Sequence, residues 1–225
     1  MGRRRWLIGA DEAGRGSLVG EMIVAVAAVP EDVVDALHDL GVRDSKELTP
    51  ARRRELYGIL SGTIVFAVYP VSPRDIDRRN LTLLTEEAIA QAAARVLPRV
   101  SGEIIRFTVD KYGRPRMLRY LLSRAGYRGP VIVEEKADAR YPEVSVASII
   151  AKHVRDARIR VLSHLYGVEG SGYPSDPRTV EWVLRTVESG LRPPIIRYSW
   201  GTLDKVGMRV RKGSGGGRPT LEDFM

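Results

Sequence analysis

The chain has 225 residues, 44% of them hydrophobic and 28% charged, enough to bury a sizeable core in one compact unit with room for an appendage. Lys and Arg number 36 against 28 Asp and Glu, a formal charge of +8, which points to a polyanionic partner, with a generally basic surface as the alternative. Cysteine is absent and only His38, His153 and His164 supply imidazole, which excludes disulfides, thiolate zinc, iron–sulfur clusters and cysteine nucleophiles and leaves carboxylates to hold any metal.

In chain order, residues 6–10 and 22–29 are apolar runs that read as buried strands. Residues 32–40 and 50–60 read as helices, the second with Thr49 as N-cap and Pro50 in its first turn. A third strand is expected over 63–71. Residues 81–97 form the strongest helical pattern, with Leu84, Ala88, Ala92 and Val96 at helical spacing and Pro98 as the stop. A strand over 104–109 ends in Asp110, a helix follows over 114–125, and a fifth strand over 130–133.

From Pro142 a long helix carries Val146, Ile149, Ile150, Val154, Ala157 and Val161 on one face, which leaves Lys152, Arg155, Arg158 and Arg160 to make its outer side basic. Asp176 and Pro177 start another helix over 178–189, and a short one is expected over 200–206. Residues 212–217 have the composition of a flexible linker. This order argues for an α/β fold whose five-stranded sheet is partly antiparallel, with a helical C-terminal part. No apolar run approaches the roughly 20 residues of a membrane span, and the first residues show no cleavage-site pattern. A soluble cytoplasmic protein without a membrane partner is therefore expected. Aromatic residues at 7% suit a duplex gripped by its backbone better than stacked single-stranded bases.

Asp11 and Glu12 end the first apolar run, Asp110 ends another, and Asp138 follows the fifth strand. Each reads alone as turn chemistry, but together they suggest convergence. Several carboxylates brought together repel one another unless hard divalent cations bind them. On a basic protein, two such ions suit phosphodiester hydrolysis. Gly14, Gly16 and Gly20 do not fit the dinucleotide-binding spacing, and glycine there either makes a tight turn or lets backbone approach a sugar-phosphate strand.

Six ordered blocks then carry a family resemblance: Asp11-Glu12-Ala13-Gly14-Arg15-Gly16, Asp44-Ser45-Lys46-Glu47-Leu48, Val109-Asp110, Lys136-Ala137-Asp138, the run from Val144 to Lys152, and Gly170-Ser171-Gly172-Tyr173-Pro174-Ser175-Asp176. Over about residues 6–204 the chain resembles ribonuclease HII, most closely its archaeal members. The resemblance implies a ribonuclease H-like fold, a mixed five-stranded sheet flanked by helices with a small helical C-terminal region, and an endoribonuclease that cuts RNA/DNA hybrids and single ribonucleotides embedded in duplex DNA, leaving 3′-hydroxyl and 5′-phosphate ends. It implies that Asp11, Glu12, Asp110 and Asp138 hold Mg2+ or Mn2+, two ions being expected with substrate. It further implies that Gly14, Arg15 and Gly16 recognise the ribonucleotide 2′-hydroxyl and that Tyr173 packs on the neighbouring deoxyribose, although Tyr173 by itself also reads as a core tyrosine.

Ser17 and Gly20-Glu21 stand where the family usually has Pro and a Gly-Pro pair. Lys46 is a candidate for a phosphate or for pairing with a site carboxylate, with a surface lysine as the alternative, and Lys136 is similarly placed. Ser145, Ser148 and Lys152 are candidates for phosphate contact. Asp156 reads as a structural ion-pair partner and His153 as a surface histidine.

The end of the chain, from Arg218 to Met225, resembles a sliding-clamp-binding peptide, with Leu221 and Phe224 three apart, Arg218 where Gln is usual, and an unstructured end as the alternative. The expected organisation is a catalytic domain over 1–168, a helical region over 169–206 packed on it, and a tail over 207–225, the whole acting as a monomer. A related-fold structure-specific DNA nuclease and a non-catalytic hybrid- or clamp-binding adaptor share these features and are the competing readings.

Overall fold

Strands β1 (Arg5–Ala13) and β2 (Met22–Pro30) pair antiparallel inside the sheet and are buried over nearly their whole length, which is why both read as continuous apolar runs rather than alternating ones. The computed structural model describes residues 3–42, 48–200 and 203. With β3 (Val65–Val71), β4 (Glu103–Asp110) and β5 (Val131–Glu134) these strands form the expected mixed five-stranded sheet, in the order β3-β2-β1-β4-β5. β3 is antiparallel to β2, whereas β1, β4 and β5 run parallel, so the carboxyl ends of β1 and β4 lie side by side.

Helices cover both faces. On one, α3 (Pro73–Arg78), α4 (Leu81–Val96) and α5 (Leu118–Arg124) bury Leu84, Ala88, Ile89 and Leu122 against Ile8, Val24, Phe107 and Val109. On the other, α1 (Val34–Asp39), α2 (Pro50–Thr63) and α7 (Pro142–Tyr166) bury Leu56, Leu60, Ile149 and Ile150 against Ile23, Ala25 and Ala27. A third cluster joins α8 (Pro177–Glu188), through Trp182 and Val183, to Leu18, Val19, Ile196 and Leu203. Among the described residues no helix is long and apolar enough to cross a membrane.

The caps follow the chemistry of the sequence. Thr49 accepts from the Arg52 N–H and Asp176 from that of Arg178, each before a proline in the first turn. Three boundaries move: Thr63 ends α2 instead of opening β3, residues 114–117 precede α5 rather than belong to it, and Trp200 is not helical. Leu203 is helical and buried, and the rest of the helix expected over 200–206 lies outside the described residues. Two short helices went unread, α3 with Ser72 as its cap and α6 (Ala137–Arg140).

At Gly9 helix and sheet come together backbone to backbone. A Cβ built there would lie 2.1 Å from the Glu143 carbonyl oxygen and 2.5 Å from the Val144 nitrogen, so only glycine lets α7 press onto β1. Four helical residues advance about 6.0 Å and two strand residues about 6.6 Å, so helix and strand stay nearly in step. Within β1, residues 143–144 meet Gly9 and Ser148 meets Asp11; past its end at Ala13, Arg155 meets Gly14 and Ile159 meets Gly20 in the loop that follows. This register corrects the expected face of α7. Arg155 turns inward and is buried, while Val161 stands exposed, because the inward face of its second half follows the 14–20 loop rather than the sheet.

Substituting Gly9→Ala is expected to destabilise the protein by about 1–3 kcal/mol, the usual cost of overpacking a closed interface. Urea denaturation measures it, and unchanged stability would show that α7 is not seated on β1 as described.

Candidate active site

Asp11 and Glu12 are consecutive on β1, and successive side chains of a strand leave on opposite faces. Asp11 faces α7, accepts a hydrogen bond from the Ser148 hydroxyl and feels the positive charge of Lys152. Glu12 is placed beside Arg15 and Tyr112, towards α4. The parallel register pairs Gly9 with Thr108 and Ala10 with Val109, and continuing it sets Asp110 beside Asp11. Thr108, two residues earlier on β4, bonds to Glu143 of α7, so Asp110 shares the α7 face.

Burial pushes the Asp11 carboxyl up to about 7, with the neighbouring Asp110 charge adding to it and the Ser148 hydroxyl opposing it. Burial likewise pushes Glu12 up to about 8, helped by Asp11 and Asp110 and opposed by Arg15. Like charge from Asp110 thus adds to burial in raising both β1 carboxyls. Oxygen-only donors carrying excess negative charge suit a hard divalent cation.

Convergence is nonetheless looser than expected. Among the described residues no three His, Asp or Glu side chains are gathered around one point as metal ligands would be. Asp138 is also not carried by a strand end. It is buried on α6, beside a cavity of about 160 Å³ that His38, Tyr141 and Ser145 help to line. Ser145 is on α7, and among the described residues its buried hydroxyl has no hydrogen-bond partner.

The turn into α6 is strained. Lys136 has φ 55°, a left-handed conformation unfavourable for a side chain with a Cβ, and the next amide, of Ala137, donates to Asp110 Oδ1 at 2.8 Å. Asp110 therefore also orients the helix that presents Asp138. A cavity of about 420 Å³ opens there, lined by Asp110, Lys111, Gly113, Glu135 and Lys136.

The loop after β1 carries Gly14, Arg15 and Gly16. Gly14 has φ 84°, which only glycine adopts freely, and its N–H donates to the Tyr173 hydroxyl at 3.1 Å. Arg15 turns its side chain towards α4, bonding Thr85 at 2.7 Å and lying over the Tyr112 ring at 5.8 Å. Gly16 is exposed at the apex. The Tyr173 ring lies 4.1 Å from the Arg155 guanidinium carbon. Ser17 and Glu21, the departures from the resemblance, are both engaged from α7: Ser17 accepts from Arg155 at 3.1 Å and Glu21 from Arg158 at 2.6 and 2.7 Å.

The remaining candidates divide. Ser148 and Lys152 lie at the carboxylates, whereas Ser145 lies on the Asp138 side. Asp156 pairs with Arg53 at 2.5 Å and Arg155 at 3.6 Å, and His153 stacks on Tyr57 with ring centres 4.0 Å apart. Lys46, Leu221 and Phe224 lie outside the described residues. Sequence reasoning missed Gly9, Tyr112 and Arg197, and it placed Arg155 on the wrong side of its helix. Gly9, two residues before Asp11 in an otherwise bulky strand, was the one available signal.

A family model described as ribonuclease HII matches residues 8–203. The ribonuclease HII of Aeropyrum pernix is 47% identical over 220 residues, covering 97% of this chain and 98% of that protein. The crystal structure of ribonuclease H2 from Pyrococcus horikoshii OT3 matches with a TM-score of 0.79 at 39% identity, over 92% of this chain and 99% of that one. The PCNA:RNase HII complex from Archaeoglobus fulgidus contains a chain that matches with a TM-score of 0.76 at 34% identity, over 97% of this chain and all of that one, 100%.

Because Asp11 and Glu12 hold protons more tightly when folded, they favour the folded state at low pH, and that contribution is lost as pH rises from about 4 through about 7 and 8. Chelator-treated wild type should therefore lose more thermal stability between pH 5 and pH 8 than Asp11→Asn does. Parallel melting-temperature profiles for the two proteins would contradict this.

Proposed function

The chain belongs to the ribonuclease HII family and is a ribonuclease H, and on that premise we propose that it cuts the RNA strand of RNA/DNA hybrids and also single ribonucleotides embedded in duplex DNA, leaving 3′-hydroxyl and 5′-phosphate ends. In this reading Asp11, Glu12, Asp110 and Asp138 hold divalent cations, Mg2+ or Mn2+, two of them with substrate. The observation that carries it is the side-by-side placement of Asp11 and Asp110 at the carboxyl ends of two parallel strands, both on the α7 face. When bound, such ions polarise a phosphodiester and make water nucleophilic at neutral pH.

The chain's own residues do the rest. Ser148 and Lys152 orient Asp11 and moderate its charge, and Asp110 fixes α6 and so Asp138. Lys111 and Lys136, beside Asp110, suit the phosphates of a bound strand. The 14–16 loop and Tyr173 read the sugar, the only part of the backbone at which RNA and DNA differ. Gly16 supports this assignment, since its φ is not positive and a Cβ added there meets nothing within 4 Å. The fold does not require glycine at that position, whereas close approach by a sugar would.

Leu221 and Phe224 remain a proposed clamp-binding pair on a tether, a reading supported by the PCNA complex of the Archaeoglobus fulgidus relative. It predicts that Phe224→Ala weakens binding to a sliding clamp in a titration, and equal affinities would reject it.

A duplex containing one ribonucleotide should be cut in the presence of Mg2+ or Mn2+, and its all-DNA counterpart should not. Equal cutting of both would favour the DNA-nuclease reading, and binding without cutting the adaptor reading. Asp110→Asn should lower the rate at least about a hundredfold, equivalent to several kcal/mol of transition-state stabilisation. Gly16→Ala should keep the wild-type melting temperature yet lose about tenfold in kcat/KM, roughly 1.4 kcal/mol of transition-state binding. Gly14→Ala, with its left-handed backbone, should lose about 1–2 kcal/mol of stability. A fully active Gly16→Ala enzyme would remove the loop apex from the substrate contact.

A further inference from the structure

The loop of residues 14–20 is held mainly from outside. Its own Ser17 N–H to Gly14 carbonyl bond is long, at 3.2 Å. Leu18 and Val19 donate to the Gly172 carbonyl, Gly20 donates to that of Ile195, and Leu18 accepts from the Arg197 N–H. Two buried arginines complete the attachment. Arg197 is 0% exposed and sends its guanidinium to the Arg15 carbonyl at 2.9 Å and twice to the Gly20 carbonyl, at 2.9 and 3.1 Å. Arg155 is 5% exposed and donates to the Ser17 hydroxyl and the Ser171 carbonyl, while its plane packs on Tyr173, the residue that accepts from the Gly14 N–H.

Burying a guanidinium is costly unless its donors are satisfied, and these two lie close enough to repel each other. Arg155 has Asp156 nearby, but the loop-facing contacts of both arginines are to neutral oxygens and aromatic faces. An apolar residue of similar volume would fill either space without that cost. For Arg197 the planar fork adds geometry, because three nitrogens reach two carbonyls at set distances. Arg155 reaches both loop-facing acceptors from one nitrogen while its guanidinium lies over the Tyr173 ring, a combination of contacts that a lysine's point charge does not reproduce.

We propose that Arg155 and Arg197 are positioning residues that lock the 14–20 loop and Tyr173 into one rigid sugar-reading unit, Arg197 gripping both ends of the loop and Arg155 joining its middle to the tyrosine. The proposal rests on the reading that this loop and Tyr173 face the ribonucleotide. It makes sugar recognition depend on the segment around Arg197, which lies 177 positions along the chain from Gly20 and 182 from Arg15. In this chain Ser17 supplies the hydroxyl that Arg155 grasps, so the residue departing from the family pattern is part of the lock.

The test uses the full chain with Arg155→Lys and Arg197→Lys, which keep the charge and remove the planar guanidinium, and Ser17→Ala as a milder variant that decides the matter if either lysine protein fails to fold. Amide hydrogen exchange is followed over 14–20 and over β1, β2 and β4, alongside kinetics on the single-ribonucleotide duplex. The expected result is exchange at least about tenfold faster in the loop with the strands unchanged, and KM raised about tenfold with kcat within about threefold. Ser17→Ala should give a smaller change of the same kind.

Unchanged loop exchange overturns the proposal: with unchanged KM the arginines are dispensable, and with raised KM they contact substrate directly. Acceleration spread through the strands also overturns it, since that marks a purely structural role. A wild-type enzyme that does not distinguish the single-ribonucleotide duplex from all-DNA would sink the proposed function instead, and the exchange comparison would still decide whether the lock exists.

Discussion

The close seating of α7 on β1 at Gly9 is the contact on which the rest of the site depends. With no Cβ at that position, helix backbone meets strand backbone, and about four helical residues then cover the length of two strand residues until β1 ends. That shared register places Ser148 against Asp11, and past the end of β1 the same helix runs on to put Arg155 under the glycine loop and Ile159 beneath Gly20. Glu143 anchors the start of the helix, fully buried, accepting from Arg106 and Thr108 of β4 and so tying the same helix to the strand that carries Asp110. One helix therefore aligns both carboxylate-bearing strands.

That alignment concentrates charge where burial makes charge expensive. Burial first, and after it the Asp110 charge, raise the affinity of Asp11 and Glu12 for protons, and the nearby Ser148, Lys152 and Arg15 offset only part of the effect. Such a cluster is a poor way to stabilise a fold and a good way to attract a cation. The left-handed Lys136 belongs to the same pattern, a local cost borne where α6 must turn sharply to present Asp138.

Much of this was legible in the sequence, and the reasons are local ones. The five strands were readable because apolar runs between turn residues leave few alternatives, and the caps at Thr49 and Asp176 because their chemistry involves adjacent residues. Asp11, Glu12 and Asp110 stood out as acids ending apolar strands. The inward turn of Arg155 was not readable, since its partners Ser17, Ser171 and Tyr173 come from two distant loops and helical periodicity alone placed it on the outer side. Arg197 was hidden for the same reason, as were the short helices α3 and α6, which have too few residues to show a period. The division of Asp11 and Glu12 between opposite faces follows from strand geometry, but only once β1 is known to run through both.

The central claim is that the β1 and β4 carboxylates form a divalent-cation seat that α7 aligns. Titration of Mn2+ into chelator-treated protein, followed by electron paramagnetic resonance, tests it without substrate or turnover. The account predicts saturable binding by the wild type and affinity lower by roughly tenfold or more in Asp110→Asn, the scale expected when a metal site loses part of its support. Equal affinity in the two proteins, or no saturable binding by the wild type, would contradict it.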